Sequence, residues 1–209
     1  MPWRRGRRRP ARLVGRISER VRSHGGLTLA NEITTGMGRT GKWFGFQHDP
    51  ISPDIVAIGK GLGNGYPVSC TAVSGDVADR LETTGFRYSQ SHQNDPLGAA
   101  VAGAVIDAIE TERLVDRARE TGEWFIRRLR EVSAERPRLG AVRGRGLMIA
   151  MDFAPTVSPD QARETVTRLR EAGLIVARRP DANTLRIDPP LNVEAARLER
   201  FLDALAVIA

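Results

Sequence analysis

The sequence is short of cysteine, of lysine and of long apolar runs, and each shortage excludes something. Its 209 residues hold one cysteine, Cys70, so no internal disulfide can form and a disulfide-stapled secreted scaffold is excluded. The cytoplasm is the expected location. No apolar run approaches the roughly 20 residues that cross a bilayer, and no apolar signal segment opens the chain. No membrane partner is expected. The three histidines, His24, His48 and His92, share no ligand spacing with one another or with Cys70, so no metal site is expected either. Phosphate loops are missing too. No Walker pattern occurs, and Gly36-Met37-Gly38-Arg39-Thr40-Gly41 leads into Trp43, Phe44 and Phe46 rather than into a helix. Those aromatics read as core or interface residues. No serine sits in a nucleophile elbow.

What is present is an ordinary globular composition, with 41% hydrophobic and 27% charged residues in a length sufficient for one generous domain or two small ones. The net charge of +7 would suggest a nucleic-acid partner if it were spread over the molecule. It is not. Arg4, Arg5, Arg7, Arg8, Arg9 and Arg12 crowd the start, and without them 26 basic residues face 25 acidic ones. Residues 1–12 read as a basic, disordered arm able to touch phosphate backbones only non-specifically, and nucleic acid is not expected as a partner. Of the 32 basic residues just two are lysine, Lys42 and Lys60. Where this chain needs only a cation it uses arginine. A retained lysine marks a place where an amine that can lose its proton and attack a carbonyl is useful.

Periodicity organises the rest. Leu13, Ile17 and Val21 predict a helix over 13–24, closed by His24-Gly25-Gly26. Leu27–Ile33, Asp54–Gly59 and Cys70–Ser74 read as short apolar strands of the kind buried in a parallel sheet. Beyond Asp95-Pro96, apolar residues from Val101 to Val132 keep helical spacing over one long stretch, weakened locally by Gly122. Arg143–Phe153 reads as a strand and Pro159–Ala172 as a helix. Leu174–Ala177 and Thr184–Ile187 read as a hairpin-like pair, and Leu198, Phe201, Leu202, Leu205 and Ile208 mark a final amphipathic helix. The pattern predicts an α/β part over 13–107 and a small α+β domain over 108–209, the boundary falling inside the long helical stretch.

Lys60 closes an apolar strand and opens Gly61-Leu62-Gly63-Asn64-Gly65. Open α/β sheets bind ligands at the carboxyl ends of their strands, and glycines let backbone approach a flat ligand. A solvent-facing lysine in a flexible loop would leave the same trace.

Five blocks, taken together, resemble the class III aminotransferases. Asn31-Glu32-Ile33-Thr34-Thr35-Gly36-Met37-Gly38-Arg39-Thr40-Gly41-Lys42 is similar to that family's Asp-Glu-Val-x-Thr-Gly-x-Gly-Arg-Thr-Gly-Lys signature. Pro53 to Pro67 looks like the segment that carries its cofactor-bearing lysine, and Ser91 to Leu97 like a later loop that reaches the partner subunit. Val142 to Met148 and Leu185-Arg186-Ile187-Asp188-Pro189-Pro190-Leu191 look like parts of its small domain. The blocks occur in the family's order from about residue 13 onward.

The resemblance implies a fold-type I transferase dependent on pyridoxal 5′-phosphate, with a truncated large α/β domain and a small C-terminal α+β domain. It implies that Lys60 holds the cofactor and shuttles the substrate Cα proton, and that Ile33 packs on one face of the ring. Thr34 would stand near the ring hydroxyl, and Ser91 would reach the phosphate bound in the other subunit. Arg186 would pair with a substrate carboxylate. Asn31 departs from the family, where an aspartate keeps the pyridine nitrogen protonated. The match covers the second half of a full-length member, so the upstream phosphate-cradling loop and ring-stacking aromatic are not recognisable.

The implied reaction moves an amino group between an amine or amino acid and a 2-oxo acid or aldehyde, in a homodimer or with a longer aminotransferase chain. The alternative is an inactive fragment that associates with a full-length subunit.

Overall fold

The computed structural model describes residues 13–179 and 183–208. The arginine-rich arm expected over 1–12 lies outside them. The chain divides into two compact units that part between Leu114 and Val115, and each unit has its own sheet.

In the first unit α1 (Leu13–Arg22) leads to β1 (Leu29–Asn31), β2 (Ile55–Ile58), β3 (Cys70–Val73), α2 (Gly75–Thr83) and α3 (Pro96–Thr111). The sheet order is β1-β2-β3. β1 and β2 are parallel, with Asn31 opposite Ala57. Asp54 fastens their starts: its carboxylate accepts from the Thr28 N–H at 2.7 Å and the Thr28 hydroxyl at 2.6 Å, and Arg22 at the end of α1 lies 3.1 Å away. These Thr28 bonds, helped by Arg22, hold the Asp54 carboxyl below its ordinary value.

Two expectations are corrected here. β3 runs antiparallel to β2, Cys70 opposite Ile58, because the connection between them holds only a short 3-10 turn (Lys60–Leu62) and no crossover helix. The strands are also not buried: β3 is exposed throughout, and Leu29 is 61% exposed. In α1 the apolar stripe faces outward, with Ile17 54% exposed, while Gly15 and Ser18 are the buried residues. The missed α2 begins after Ser74, beside β3.

The long helical stretch is two helices. α3 starts at a well-made cap: Pro96 occupies the first turn and the Asp95 carboxylate accepts from the Leu97 N–H at 3.1 Å. It ends at Glu112-Arg113, where Arg113 takes a left-handed φ of 51° and redirects the chain into α4 (Leu114–Glu135).

The second unit continues with β4 (Leu139–Arg145), β5 (Met148–Phe153), α5 (Pro159–Glu171), β6 (Ala177–Arg179), β7 (Thr184–Ile187) and α6 (Ala195–Ile208). Its sheet order is β4-β5-β7-β6, antiparallel throughout. The single strand expected over Arg143–Phe153 is instead a hairpin. Gly146, at φ 53°, and Leu147 reverse the chain, and Arg145 pairs with Met148. β5 opens on four consecutive apolar residues, Met148 to Met151, directly after the turn, so the pattern did not mark the reversal. α5 is capped as its sequence demands: the Ser158 hydroxyl accepts from the Gln161 N–H at 3.2 Å, and Gln161 Oε1 accepts from the Ser158 N–H at 2.9 Å.

Alternation then builds the core. Ile149, Met151 and Phe153 of β5 and Leu185 and Ile187 of β7 form one face, and they join Phe125 and Leu129 of α4, Leu169 of α5 and Phe201, Leu202 and Leu205 of α6 in a single buried cluster. Phe125 and Phe201 meet edge to face, centroids 5.9 Å apart. The opposite face carries Arg143, Asp152, Thr184 and Arg186. Among the described residues no helix is long and apolar enough to cross a membrane.

Candidate active site

Parallel pairing of β1 and β2 brings their carboxyl ends side by side, and Asn31, Ile33, Thr34 and Lys60 gather there. Asn31 ends β1, and the following Glu32 N–H donates to the Ala57 carbonyl at 2.9 Å, prolonging the ladder by one bond. β2 ends at Ile58. Gly59 then carries the chain to Lys60, whose backbone is left-handed at φ 46°. A non-glycine residue in that region is strained by about 1–2 kcal/mol, a cost found where a side chain must be aimed. The Lys60 ammonium donates to the Thr34 hydroxyl at 3.2 Å. Ile33, 37% exposed, approaches Gly59 so closely that a Cβ there would touch its Cγ2 at 3.8 Å.

An open cleft of about 460 Å³ begins at Lys60 and is lined by Gly61, Asn64, Gly65, Tyr66, Pro67 and Val68. Tyr66 Oη lies 3.4 Å from Asp95 Oδ2, tying the cleft to the cap of α3. Burial, and then the Asp95 carboxylate, push the Tyr66 hydroxyl above its ordinary 10.0, so it stays protonated. Lys42, the other lysine, is engaged elsewhere: its ammonium donates to the Gln47 carbonyl at 2.8 Å. Phe44 and Phe46 stack on each other at 5.7 Å.

Asn31 carries an uncharged amide at the end of β1. Its Oδ1 accepts from the Ile33 N–H at 3.3 Å. The remaining side-chain nitrogen can only donate.

Glu32 was not singled out by sequence reasoning, and it organises the loop that presents Ile33 and Thr34. Only 4% exposed, its carboxylate accepts from the Thr35 hydroxyl at 2.5 Å, the Gly45 N–H at 2.8 Å and the Phe46 N–H at 2.7 Å. Three donors around one buried carboxylate offset the cost of burying its charge. The available signal was its place directly between an apolar strand and a Thr-Thr-Gly turn.

Ser91 stands on an exposed turn ahead of Asp95, and among the described residues no hydrogen bond joins it to the Lys60 group. Arg186 belongs to the second unit. On β7 it pairs in register with Ala150 and Ala177, and its Nη2 donates to the Asp188 carboxylate. Among the described residues, no three of the His, Cys, Asp and Glu side chains gather as a metal site would require.

Comparison with known proteins gives a consistent answer. The family model for aminotransferase class-III matches residues 9–208. The leucine/methionine racemase of Thermococcus litoralis is 36% identical over 91% of this chain and 43% of its own length. The ornithine aminotransferase of Exiguobacterium sp. is 31% identical over 95% of this chain and 48% of its own. Among solved structures, a transaminase from the marine bacterium Virgibacillus superposes with a TM-score of 0.90 at 28% identity, covering 95% of this chain and 48% of that one. The chain thus spans about half the length of the curated relatives it matches.

Proposed function

The chain belongs to the class III aminotransferase family, whose fold-type I α/β architecture it shares, and we propose that it holds pyridoxal 5′-phosphate on Lys60 and serves amino-group transfer. The substrates on this reading are an amine or amino acid as donor and a 2-oxo acid or aldehyde as acceptor. One observation carries it: Lys60 stands at the end of β2 in a strained backbone, with its ammonium on the Thr34 hydroxyl and an open cleft before it.

The residues present fit such a group. An aldehyde requires a primary amine, and of the two lysines Lys60 is the one at the strand ends. When bound, the cofactor supplies an electron sink for the bond broken at the substrate Cα. The protein's part is binding, orientation and proton handling. The Thr34 hydroxyl orients the Lys60 amine, which in its free form holds and returns the Cα proton. Ile33 offers an apolar wall to one side of the cofactor ring. Asn31 donates an N–H where relatives with aspartate keep a proton on the ring nitrogen, which leaves this site a weaker sink. Arg186 takes a substrate carboxylate, for which a guanidinium is suited and an ammonium is a poor replacement. Ser91 serves the phosphate in the other subunit of a homodimer or of an assembly with a longer aminotransferase chain.

Reductive trapping tests the reading. The purified chain is mixed with pyridoxal 5′-phosphate, reduced with borohydride and mapped by mass spectrometry. Selective labelling of Lys60 is expected. Absent labelling, or labelling spread equally over Lys42, Lys60 and the terminal amine, would sink it.

Asn31 and the half-length match favour a second reading, in which the chain is catalytically inactive and associates with a full-length aminotransferase subunit. Co-purification with such a subunit, without label on Lys60, would select it.

A further inference from the structure

We propose that Asp188 is a built-in competitor for the Arg186 guanidinium and so sets how strongly this chain binds carboxylate-bearing substrates. The proposal rests on the reading of Arg186 as a carboxylate site.

Arg186 lies on β7, and Asp188 follows directly on the last residue of that strand. The Asp188 carboxylate accepts from Arg186 Nη2. The pair is partly withdrawn from solvent, the two side chains being 27% and 28% exposed, so it is screened less than a surface pair.

The contact uses only part of the guanidinium. Arg186 Nε is buried and, among the described residues, has no hydrogen-bond acceptor. Nε and Nη2 together form one edge of the fork, and that edge takes a carboxylate bidentately through two parallel N–H···O bonds. Asp188 occupies one of these two positions and leaves the other without an acceptor. A buried unsatisfied donor is costly, by about 1–3 kcal/mol, so the arrangement favours a ligand that meets both nitrogens.

The surroundings leave Asp188 as the acid that answers Arg186. Its register partners on the neighbouring strands are Ala150 and Ala177, whose methyl groups carry no charge. Asp152, the other acid on this face of the sheet among the described residues, is already held by Arg143 and by the Thr184 hydroxyl at 2.6 Å. Among the described residues, the remaining charged strand positions on that face, Arg145 and Arg179, are cations.

A substrate carboxylate can therefore take the Nε–Nη2 edge only by displacing Asp188. Two carboxylates sharing one cation repel, and the displaced one must find water. An incoming acid thus binds more weakly than Arg186 alone would bind it. A substrate end without negative charge meets no such competition.

The test uses the full chain and pyruvate, the smallest 2-oxo acid, with pyruvamide as its uncharged counterpart. Binding is read on the ligand, as saturation transfer from the protein to the methyl resonance of pyruvate or to the corresponding resonance of pyruvamide, so the readout does not depend on residue 186. In Asp188→Asn, pyruvate should bind about tenfold more tightly than in the unaltered chain, and pyruvamide should bind as before. Asp188→Ser serves as a second variant should the amide fail to fold. Unchanged or weaker pyruvate binding in the folded variants, with binding lost in Arg186→Ala, would overturn the role of Asp188 alone. Pyruvate binding that survives Arg186→Ala would instead overturn the reading of Arg186 on which the proposal stands.

Discussion

On the proposed reading, a single atom type at residue 31 would decide how far a bound cofactor ring can act as an electron sink. On that reading an aspartate there would accept a hydrogen bond and stabilise a protonated ring nitrogen. Asn31 has its oxygen on the Ile33 N–H and can offer only a donor. Each pKa unit by which the ring nitrogen loses its proton is worth about 1.4 kcal/mol, so even a modest change costs an order of magnitude in Cα proton abstraction. Asn31→Asp should raise the rate of Cα hydrogen–deuterium exchange in an amino acid about tenfold or more in any preparation that holds cofactor. It should also move the ring nitrogen of 15N-labelled cofactor to its protonated shift. A protonated nitrogen in the unaltered chain would refute this account before any rate was measured. Lysine scarcity made Lys60 stand out in the sequence, and the Thr34 contact gives it a partner. Glu32 and the Arg186–Asp188 pair were not legible, because each depends on folded geometry: one collects donors some 13 residues away in sequence, the other joins a strand residue to one just past the strand's end.

Among the elements, those that were legible carry their own signals. α5 has serine, proline and glutamine at the positions a capped start requires, and α6 repeats its apolar residues at helical spacing. Strand direction and sheet burial were not legible, since an apolar run states neither its partner nor what covers it; β3 and the β4–β5 hairpin are the cases in point. Gly122 shows how a tertiary contact can reverse a local rule. By propensity alone, alanine within α4 would stabilise the helix by about 1 kcal/mol relative to glycine. The structure puts the Gly146 carbonyl oxygen, in the turn between β4 and β5, 2.1 Å from where a Cβ on Gly122 would stand. That atom is backbone and cannot swing aside, so helix and hairpin must separate. Overpacking of this kind costs about 1–3 kcal/mol and more against rigid neighbours. Gly122→Ala should therefore lower stability by about 2 kcal/mol in denaturant unfolding of the second unit. A gain in stability would mean that propensity governs this position after all.

For the whole molecule, the distribution of apolar residues separates the two units. Both are of similar length, yet of the 25 buried apolar residues among those described, twenty lie from Ala118 onward and only Met37, Leu62, Val77, Ile109 and Leu114 precede them. Exposure runs the other way. Of the 12 large apolar side chains that remain exposed, all but Ile175 and Val207 belong to the first unit. Leu29, Ile55 and Val73 are register partners across all three of its strands, so they form an apolar row on one face of that sheet, with Leu29 61% and Val73 40% exposed. Fully burying one such side chain is worth about 1.5–3 kcal/mol, and the first unit forgoes that contribution several times over. Local stability follows buried apolar area and protected hydrogen bonds. In native-state hydrogen exchange of the isolated chain, amides of β1, β2 and β3 should therefore exchange at least about tenfold faster than those of β5 and β7. The same apolar row should make the chain self-associate as its concentration rises, since exposed patches of this kind favour association. Introducing lysine at Leu29 and at Val73 should suppress that association in sedimentation velocity while leaving exchange in β5 and β7 unchanged. Uniform protection across both sheets, in a chain that stays monomeric at every concentration, would show that the first unit is stabilised by something other than buried apolar surface.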